Sequence, residues 1–169
     1  MKILVTSILF IVSLIMQSTV MNFVQVHNVK PNIIIIIIIC MALIRGTFEG
    51  TILGFCGGFL LDLFLGKSIG LSAFLCMYIG MMAGGINRRL FRENYFVSII
   101  FVFIFSFIYE FGFFFLKYYV WGEERILTTI LMIIIPICIY NSCIAIPIYR
   151  FIMKLNEMFF EEVRMLRKY

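Results

Sequence analysis

Side chains able to take part in acid–base or metal chemistry are few in this sequence, and they lie far apart. The chain has 169 residues with one His, His27, and nine acidic residues, of which Asp62 is the only Asp. Metalloproteases, Ser-His-Asp hydrolases and paired-aspartate proteases each need several such residues in one site. We therefore expect no catalytic residues, no metal ligands and no cofactor, and we do not expect an enzyme.

The five cysteines offer no better candidate for a metal or redox site. Each of them lies in an apolar run and no two form a C-x-x-C pair, the positions being Cys40, Cys56, Cys76, Cys138 and Cys143. Zinc sites need several thiolate or imidazole ligands at close, fixed spacing. We interpret these cysteines as small apolar residues.

The composition predicts a membrane protein. Apolar residues make up 63% of the chain and charged residues 14%, whereas soluble domains have about 45–50% and about 25%. The mean hydropathy is +1.10. So much apolar surface must face lipid as well as the protein's own core.

The apolar residues fall into six stretches near the length of a membrane span. A helix needs roughly 20 mostly apolar residues to cross the hydrocarbon, which is about 30 Å thick. The stretches are 3–24, 31–44, 50–65, 71–86, 95–118 and 126–149. They predict an all-α membrane protein, a compact single-domain bundle of six transmembrane helices. The second to fourth stretches are short, and the run Ile33 to Ile39 is also compatible with a strand, an alternative that its apolar neighbours disfavour.

The distribution of basic residues predicts the orientation of the bundle. With the N-terminus inside, ten of the 14 Lys and Arg residues lie on the cytoplasmic side, and four lie outside, namely Lys30, Lys67, Lys117 and Arg125. Short cytoplasmic loops of membrane proteins are enriched in Lys and Arg. We expect both termini in the cytoplasm. The net charge of +5 then follows from topology, and no nucleic-acid partner is expected.

The tail 150–169 follows the sixth stretch and has amphipathic character. Phe151, Leu155, Phe159 and Val163 recur at helical spacing between charged residues. This pattern predicts a cytoplasmic helix, either lying on the inner membrane surface or extending the sixth span. Anchoring to anionic lipid and docking of a cytoplasmic partner are both compatible with it.

A glycine repeat is the most informative pattern in the chain. Small or acidic residues recur at every fourth position from the third stretch into the segment that follows it, at Gly50, Gly54, Gly58, Asp62, Gly66 and Gly70. The fourth stretch has small residues at the same spacing, at Ser72, Cys76, Gly80 and Gly84. Residues i and i+4 share one helix face, and small residues let helices approach closely in lipid. We expect a tight hairpin of these two helices. The alternative interpretation is that part of the glycine face is open and receives a helix of another protein.

Two acids lie inside predicted spans, Asp62 and Glu110, and Asn141 is a third polar residue there. A carboxylate at the bilayer centre costs about 2.5–3.5 kcal/mol on insertion scales. At about 1.5 Å per residue the acids lie about 18 Å and about 22 Å from the inner face, near the basic side chains Lys67, Lys117 and Arg125. Two interpretations are open: internal salt bridges or helix-capping contacts, or a polar site for a partner or ligand.

The order of these features resembles the MreD family of bacterial rod-shape-determining membrane proteins. The resemblance covers the whole chain. It rests on Pro31 before an apolar run that ends in Arg45-Gly46, on Gly54-Phe55 and the run Gly58 to Asp62, and on Gly84 with Arg88-Arg89, Tyr109-Glu110, Tyr140-Asn141 and Pro147. Asn32 departs from the family, in which we expect an acid after the proline.

The resemblance implies a non-enzymatic scaffold of the cell-elongation complex in the bacterial cytoplasmic membrane. The implied partners are an MreC-like membrane protein, the glycosyltransferase and transpeptidase of lateral wall synthesis, and MreB-like filaments. On this interpretation the face of Gly50, Gly54, Gly58 and Asp62, with Gly80 and Gly84 opposite, serves helix packing or partner contact. Three basic residues form an edge that makes contacts on the cytoplasmic side of the membrane, namely Arg88, Arg89 and Arg92.

A second function class remains open, the substrate-binding membrane subunit of an energy-coupling-factor transporter. The chain resembles these subunits in its six helices and glycine-rich contacts. That function needs a polar and aromatic pocket near the outer face. The candidate lining residues are Asp62, Glu110, Trp121 and Asn141. A lipid-acting enzyme is a third and weaker hypothesis, because a second Asp is missing.

Overall fold

The protein is a bundle of helices. The computed structural model describes residues 2–23, 30–64, 70–86, 95–121 and 129–160. The helices are α1 (Lys2–Phe23), α2 (Ile33–Arg45), α3 (Thr47–Phe64), α4 (Leu71–Gly85), α5 (Tyr95–Trp121) and α6 (Ile135–Phe160), and a π-helical turn, Ile130–Ile134, leads into α6. No strand occurs within these ranges. The all-α prediction is confirmed, and the strand alternative for the isoleucine run is wrong.

The helices differ in their ability to cross a membrane. Three segments are long and apolar enough, Thr47–Phe64, Val97–Leu116 and Ile130–Met158. Two other helices are apolar but shorter, Ile33–Arg45 and Leu71–Gly85, and the 22-residue α1 contains the apolar stretch Leu4–Thr19. With 13 and 15 residues, α2 and α4 are about 20 Å and about 22 Å long at about 1.5 Å per residue. They are therefore too short to cross about 30 Å of hydrocarbon without help from neighbouring protein.

The central helix of the bundle is α2. Every residue from Ile33 to Leu43 is buried, and α2 contacts each of the other five helices. A helix that is apolar on all sides has no face to offer water, and it belongs inside the protein. The uninterrupted isoleucine run thus fits a helix enclosed by others, whereas α1 and α5 expose a broad apolar face.

The start of α2 differs from the prediction. Asn32 is the N-cap, and its side chain accepts a hydrogen bond from the Ile35 amide at 3.4 Å. Pro31, which the sequence places in the first turn, precedes the cap. Asn is among the preferred N-cap residues, because its side-chain oxygen satisfies a free amide of the first turn. The helix ends at Arg45, and its C-cap is Gly46, whose φ of 93° suits glycine.

The last helix extends beyond the predicted end of the sixth span. After the π-helical turn, α6 continues through Pro147 to Phe160 without a break at residue 149. Ile152 is buried in this extension whereas Phe151 is exposed, so Phe151 does not lie on the packed side. Up to Phe160 the structure therefore has an extension of the sixth helix, and residues 161–169 lie outside the described part.

Truncation of the α2 core should destabilise the whole bundle. In Ile36→Ala, a side chain with 0% exposure is removed from a helix packed on all sides. We expect the free energy of unfolding in SDS-containing mixed micelles to fall by about 2 kcal/mol, the low end for buried Ile→Ala changes, because lipid removes much of the transfer contribution. Ile52→Ala, at 48% exposure, is the matched control and should change it little. Equal effects of the two would contradict a central α2.

Candidate functional site

The predicted glycine face of α3 packs directly on α4. A Cβ atom added to Gly50 would lie 2.6 Å from the Gly80 carbonyl oxygen, and one added to Gly58 would lie 2.5 Å from that of Ser72. A Cβ at Gly54 would overlap the carbonyl oxygen of Cys76. The two backbones are therefore in contact along the repeat, as small residues permit.

The opposing glycines of α4 meet the other end of the hairpin. A Cβ at Gly80 would overlap the Gly50 carbonyl oxygen, and one at Gly84 would lie 2.5 Å from the Gly46 carbonyl carbon. All the predicted packing glycines are thus placed together, in contacts within this chain. In this structure the face is covered by α4 and is not presented to another protein.

Asp62 caps the start of α4. Its side chain is 2% exposed and accepts three backbone hydrogen bonds, from Gly70 at 2.8 Å and from Ser72 and Ala73 at 3.1 Å each. The N-cap residue Gly70 has no side chain to perform this role. A carboxylate at a helix N-terminus satisfies free amides and interacts favourably with the helix dipole. Of the two interpretations of Asp62, the geometry matches helix capping; Lys67 lies outside the described residues.

A tyrosine connects this capped end of α4 to α5. Tyr109 is buried and forms a side-chain hydrogen bond with Ser72, and it lies within electrostatic range of Asp62, Cys76 and Glu110. Because Ser72 also donates its amide to Asp62, one turn of α4 joins α3 to α5. The polar groups around Asp62 therefore hold three helices in register.

Asn141 of α6 serves the start of α2 as Asp62 serves the start of α4, by accepting a hydrogen bond from a backbone amide. It is completely buried, and its Oδ1 accepts the Asn32 amide at 2.9 Å while its Nδ2 donates to the Ser106 hydroxyl at 3.2 Å. From the opposite side, Gln17 accepts the Ile33 amide at 2.8 Å and donates to the Pro31 carbonyl at 3.1 Å. The Asn32 side chain thus caps α2, and its backbone amide links the start of α2 to α6.

Gln17 and Ser106 were not among the sequence candidates. The signal available was a polar residue inside an apolar run, which Gln17 is in α1 and Ser106 is in α5. Their partners are 16 and 35 residues away in sequence. Helical periodicity relates only neighbouring turns, so it does not indicate such contacts.

Glu110 contrasts with Asp62. It is half-buried on α5, within electrostatic range of Tyr109, Cys76 and Cys138. In the part of the chain that the structure describes, no hydrogen bond or ion pair involves its carboxyl group. The side chains of its predicted partners Lys67, Lys117 and Arg125 lie outside the described residues, and so does that of Trp121.

The opposite end of α2 carries the described ion pair. Arg45 donates to the Thr6 hydroxyl of α1 at 2.9 Å, and its Nε lies 3.9 Å from Glu49 of α3. A basic residue at a helix C-terminus interacts favourably with the dipole. The predicted basic edge of Arg88, Arg89 and Arg92 lies outside the described residues.

A described cavity does not match the polar pocket that a transport subunit needs. It is an open groove of about 420 Å³ between α1 and α3, lined by Ile11, Leu14, Ile15, Ser18, Leu60 and Phe64. Among the residues described, no three His, Cys, Asp or Glu side chains group as metal ligands. Asp62 and Asn141, two of the proposed pocket residues, are hydrogen-bonded within the chain.

Comparison with known proteins identifies a family to which the sequence matches. A family model described as rod shape-determining protein MreD matches residues 1–159. Comparisons with curated proteins and with solved structures gave no match.

The glycine contact predicts a sharp difference between two alanine substitutions. Gly54→Ala places a methyl group against the α4 backbone and should lower the free energy of unfolding by about 1–3 kcal/mol, the range for overpacking. Gly85→Ala is the control, because no atom lies within 4 Å of its added Cβ. It should be neutral or slightly stabilising. Thermal unfolding in detergent measures both, and equal midpoints would show that α3 and α4 are not in backbone contact.

The capping role of Asp62 predicts a loss of stability in Asp62→Asn. An amide has one acceptor oxygen, so an amide hydrogen of the first α4 turn loses its acceptor, at a cost of about 1–3 kcal/mol. Glu157→Gln, the same chemical change at an exposed position of α6, serves as the control. Unfolding in mixed micelles should separate the two variants, and an unchanged Asp62→Asn protein would rule out the cap.

Proposed function

The chain belongs to the MreD family of rod shape-determining proteins, and we propose that it is a non-enzymatic membrane scaffold of the complex that builds the lateral cell wall. Membership in the family implies a role in rod-shape determination. The finer proposal is that the bundle binds an MreC-like membrane protein and, with it, the glycosyltransferase and transpeptidase of peptidoglycan synthesis. MreB-like filaments are the proposed cytoplasmic partner.

The observation that carries this proposal is the family match, which extends over residues 1–159. The geometry supports it in a specific way. The buried side chains of Asp62 and Asn141 and the half-buried side chain of Gln17 satisfy the first turns of α4 and α2. Polar groups used in this manner fix the relative positions of helices, which is what a scaffold requires.

We further propose a multi-pass topology in the bacterial cytoplasmic membrane with both termini inside. The excess of Lys and Arg on one side of the six segments supports it. In this orientation α1, α3 and α5 run outward, and α2, α4 and α6 run inward. The starts of α2 and α4 then lie in the outer half of the membrane, and Arg45 lies at the inner face. The tail 150–169 and the basic edge at residues 88–92 are proposed to face the cytoplasm.

Deletion and complementation test the proposed function. In the bacterium that encodes the protein, deletion should convert rods to rounded cells, and a tagged wild-type copy should restore the ratio of length to width. Mild-detergent purification of that copy, followed by mass spectrometry, should recover an MreC-like protein and wall-synthesis enzymes. A tagged unrelated membrane protein at equal expression is the control. Recovery of an ATPase pair with a transmembrane coupling subunit would instead indicate the transporter function.

A further inference from the structure

The exposed face of α6 changes character along its length. In the first half the exposed side chains are apolar and recur three or four residues apart, at Ile139, Cys143, Ile146 and Pro147. Further along the same face, two basic side chains lie beside two exposed apolar ones, at Arg150, Lys154, Phe151 and Met158. One stripe of α6 is therefore apolar first, and then both basic and apolar.

The opposite side of this helix packs into the bundle. Ala145, Tyr149 and Ile152 are buried and belong to the central core. Phe151 and Met158, in contrast, are 58% and 61% exposed. The stripe thus faces away from the described helices that pack against α6.

The basic part of the stripe lies at the depth of the inner membrane face. In the proposed topology α2 and α6 both run inward, and the hydrogen bond from the Asn32 amide to Asn141 holds them side by side. The 13 residues of α2 lead from that level to Arg45, and the same number of residues after Asn141 leads to Lys154. Because both helices rise about 1.5 Å per residue, Lys154 lies near the depth of Arg45, and Arg150 lies one turn closer to the hydrocarbon.

One acid shares this face, Glu157, one turn beyond Lys154 on the cytoplasmic side. Among the described residues no ion pair joins it to Lys154. The two basic groups lie nearer the membrane than the acid does. On the described part of this face, the charge at headgroup depth is therefore positive.

We propose that the stripe binds an anionic phospholipid of the inner leaflet, with the phosphate between Arg150 and Lys154 and an acyl chain along the apolar part of α6. The proposal rests on the multi-pass topology proposed above. Charge complementarity selects this ligand, because basic residues beside the inner leaflet attract anionic headgroups, and their long stems let the charged ends reach the phosphate.

The apolar part of the stripe fits the rest of the lipid. From Ile139 to Pro147 it is about 12 Å long at about 1.5 Å per residue, close to the thickness of one leaflet's hydrocarbon, about 15 Å. A cytoplasmic protein contacts only the basic end, because the apolar part lies at hydrocarbon depth. A phospholipid covers both parts.

Native mass spectrometry of the full-length protein, purified in mild detergent with equal amounts of phosphatidylglycerol and phosphatidylcholine, measures the preference. Wild type should retain phosphatidylglycerol over phosphatidylcholine. Lys154→Gln should lower the ratio of the two bound lipids about fivefold, and the double variant with Arg150→Gln about thirtyfold, the effect of one and two basic residues near an anionic surface. Arg150→Lys keeps the charge and should keep the preference. Lys30→Gln, the same change as Lys154→Gln at an exposed position before α2, is the control and should behave as wild type.

Thermal unfolding provides a second readout. Phosphatidylglycerol should raise the unfolding midpoint of wild type more than phosphatidylcholine does, because a ligand of the folded state stabilises it, and this difference should vanish in the double variant. Equal retention of the two lipids by wild type, or an unchanged preference in the double variant, would overturn the proposal. If the double variant keeps the lipid preference and loses rod-complex proteins that copurify with wild type, the face binds a protein instead.

Green fluorescent protein fused after Tyr169 separates this inference from the topology on which it rests. The fusion should fluoresce, because this reporter matures in the cytoplasm and not after export as an unfolded chain. A dark fusion at normal expression would contradict the topology, and with it the depth of Lys154. A fluorescent fusion combined with no preference for phosphatidylglycerol would refute the lipid site alone.

Discussion

The fold depends on one constraint: backbone amides inside a membrane need partners from the protein itself. Two helices, α2 and α4, have 13 and 15 residues, too few to carry their ends to the membrane surface. Their first turns therefore begin within the bundle, where water does not satisfy the free amides. Asp62 meets this need at α4, and Asn141 with Gln17 meets it at α2.

The glycine repeat makes the capping possible. Backbone contact between α3 and α4 brings Asp62, at the end of α3, beneath the first turn of α4. The same turn carries Ser72, which binds Tyr109 of α5, and the second cap reaches α5 through Ser106. The Asp62 cap thus joins three helices, the cap formed by Asn141 and Gln17 joins four, and the enclosed α2 lies at the centre of the bundle.

Local patterns predicted much of this architecture, and long-range contacts did not follow from them. The six helices and the α3–α4 hairpin were predictable, because hydropathy and the four-residue repeat act over neighbouring turns. The link between Asn32 and Asn141 spans 109 residues, and nothing local in either segment indicates it. The capping of α2 by Asn32, in place of a first turn that contains Pro31, reflects a choice between two good initiating residues. The continuation of α6 past residue 149 depends on the burial of Ile152, which is a tertiary contact.

The central claim, that side chains satisfy the buried first turns of α2 and α4, can be measured directly by residue-resolved amide hydrogen exchange of the protein in lipid nanodiscs. Five amides are informative. The amides of Asn32 and Ile33 donate to Asn141 and Gln17. Those of Gly70, Ser72 and Ala73 donate to Asp62. The account predicts that these amides exchange as slowly as those in the middle of α2, because opening them requires separating helices. Exchange at the rate of free, water-exposed helix ends would contradict it, and would place both helix starts in water rather than inside the bundle.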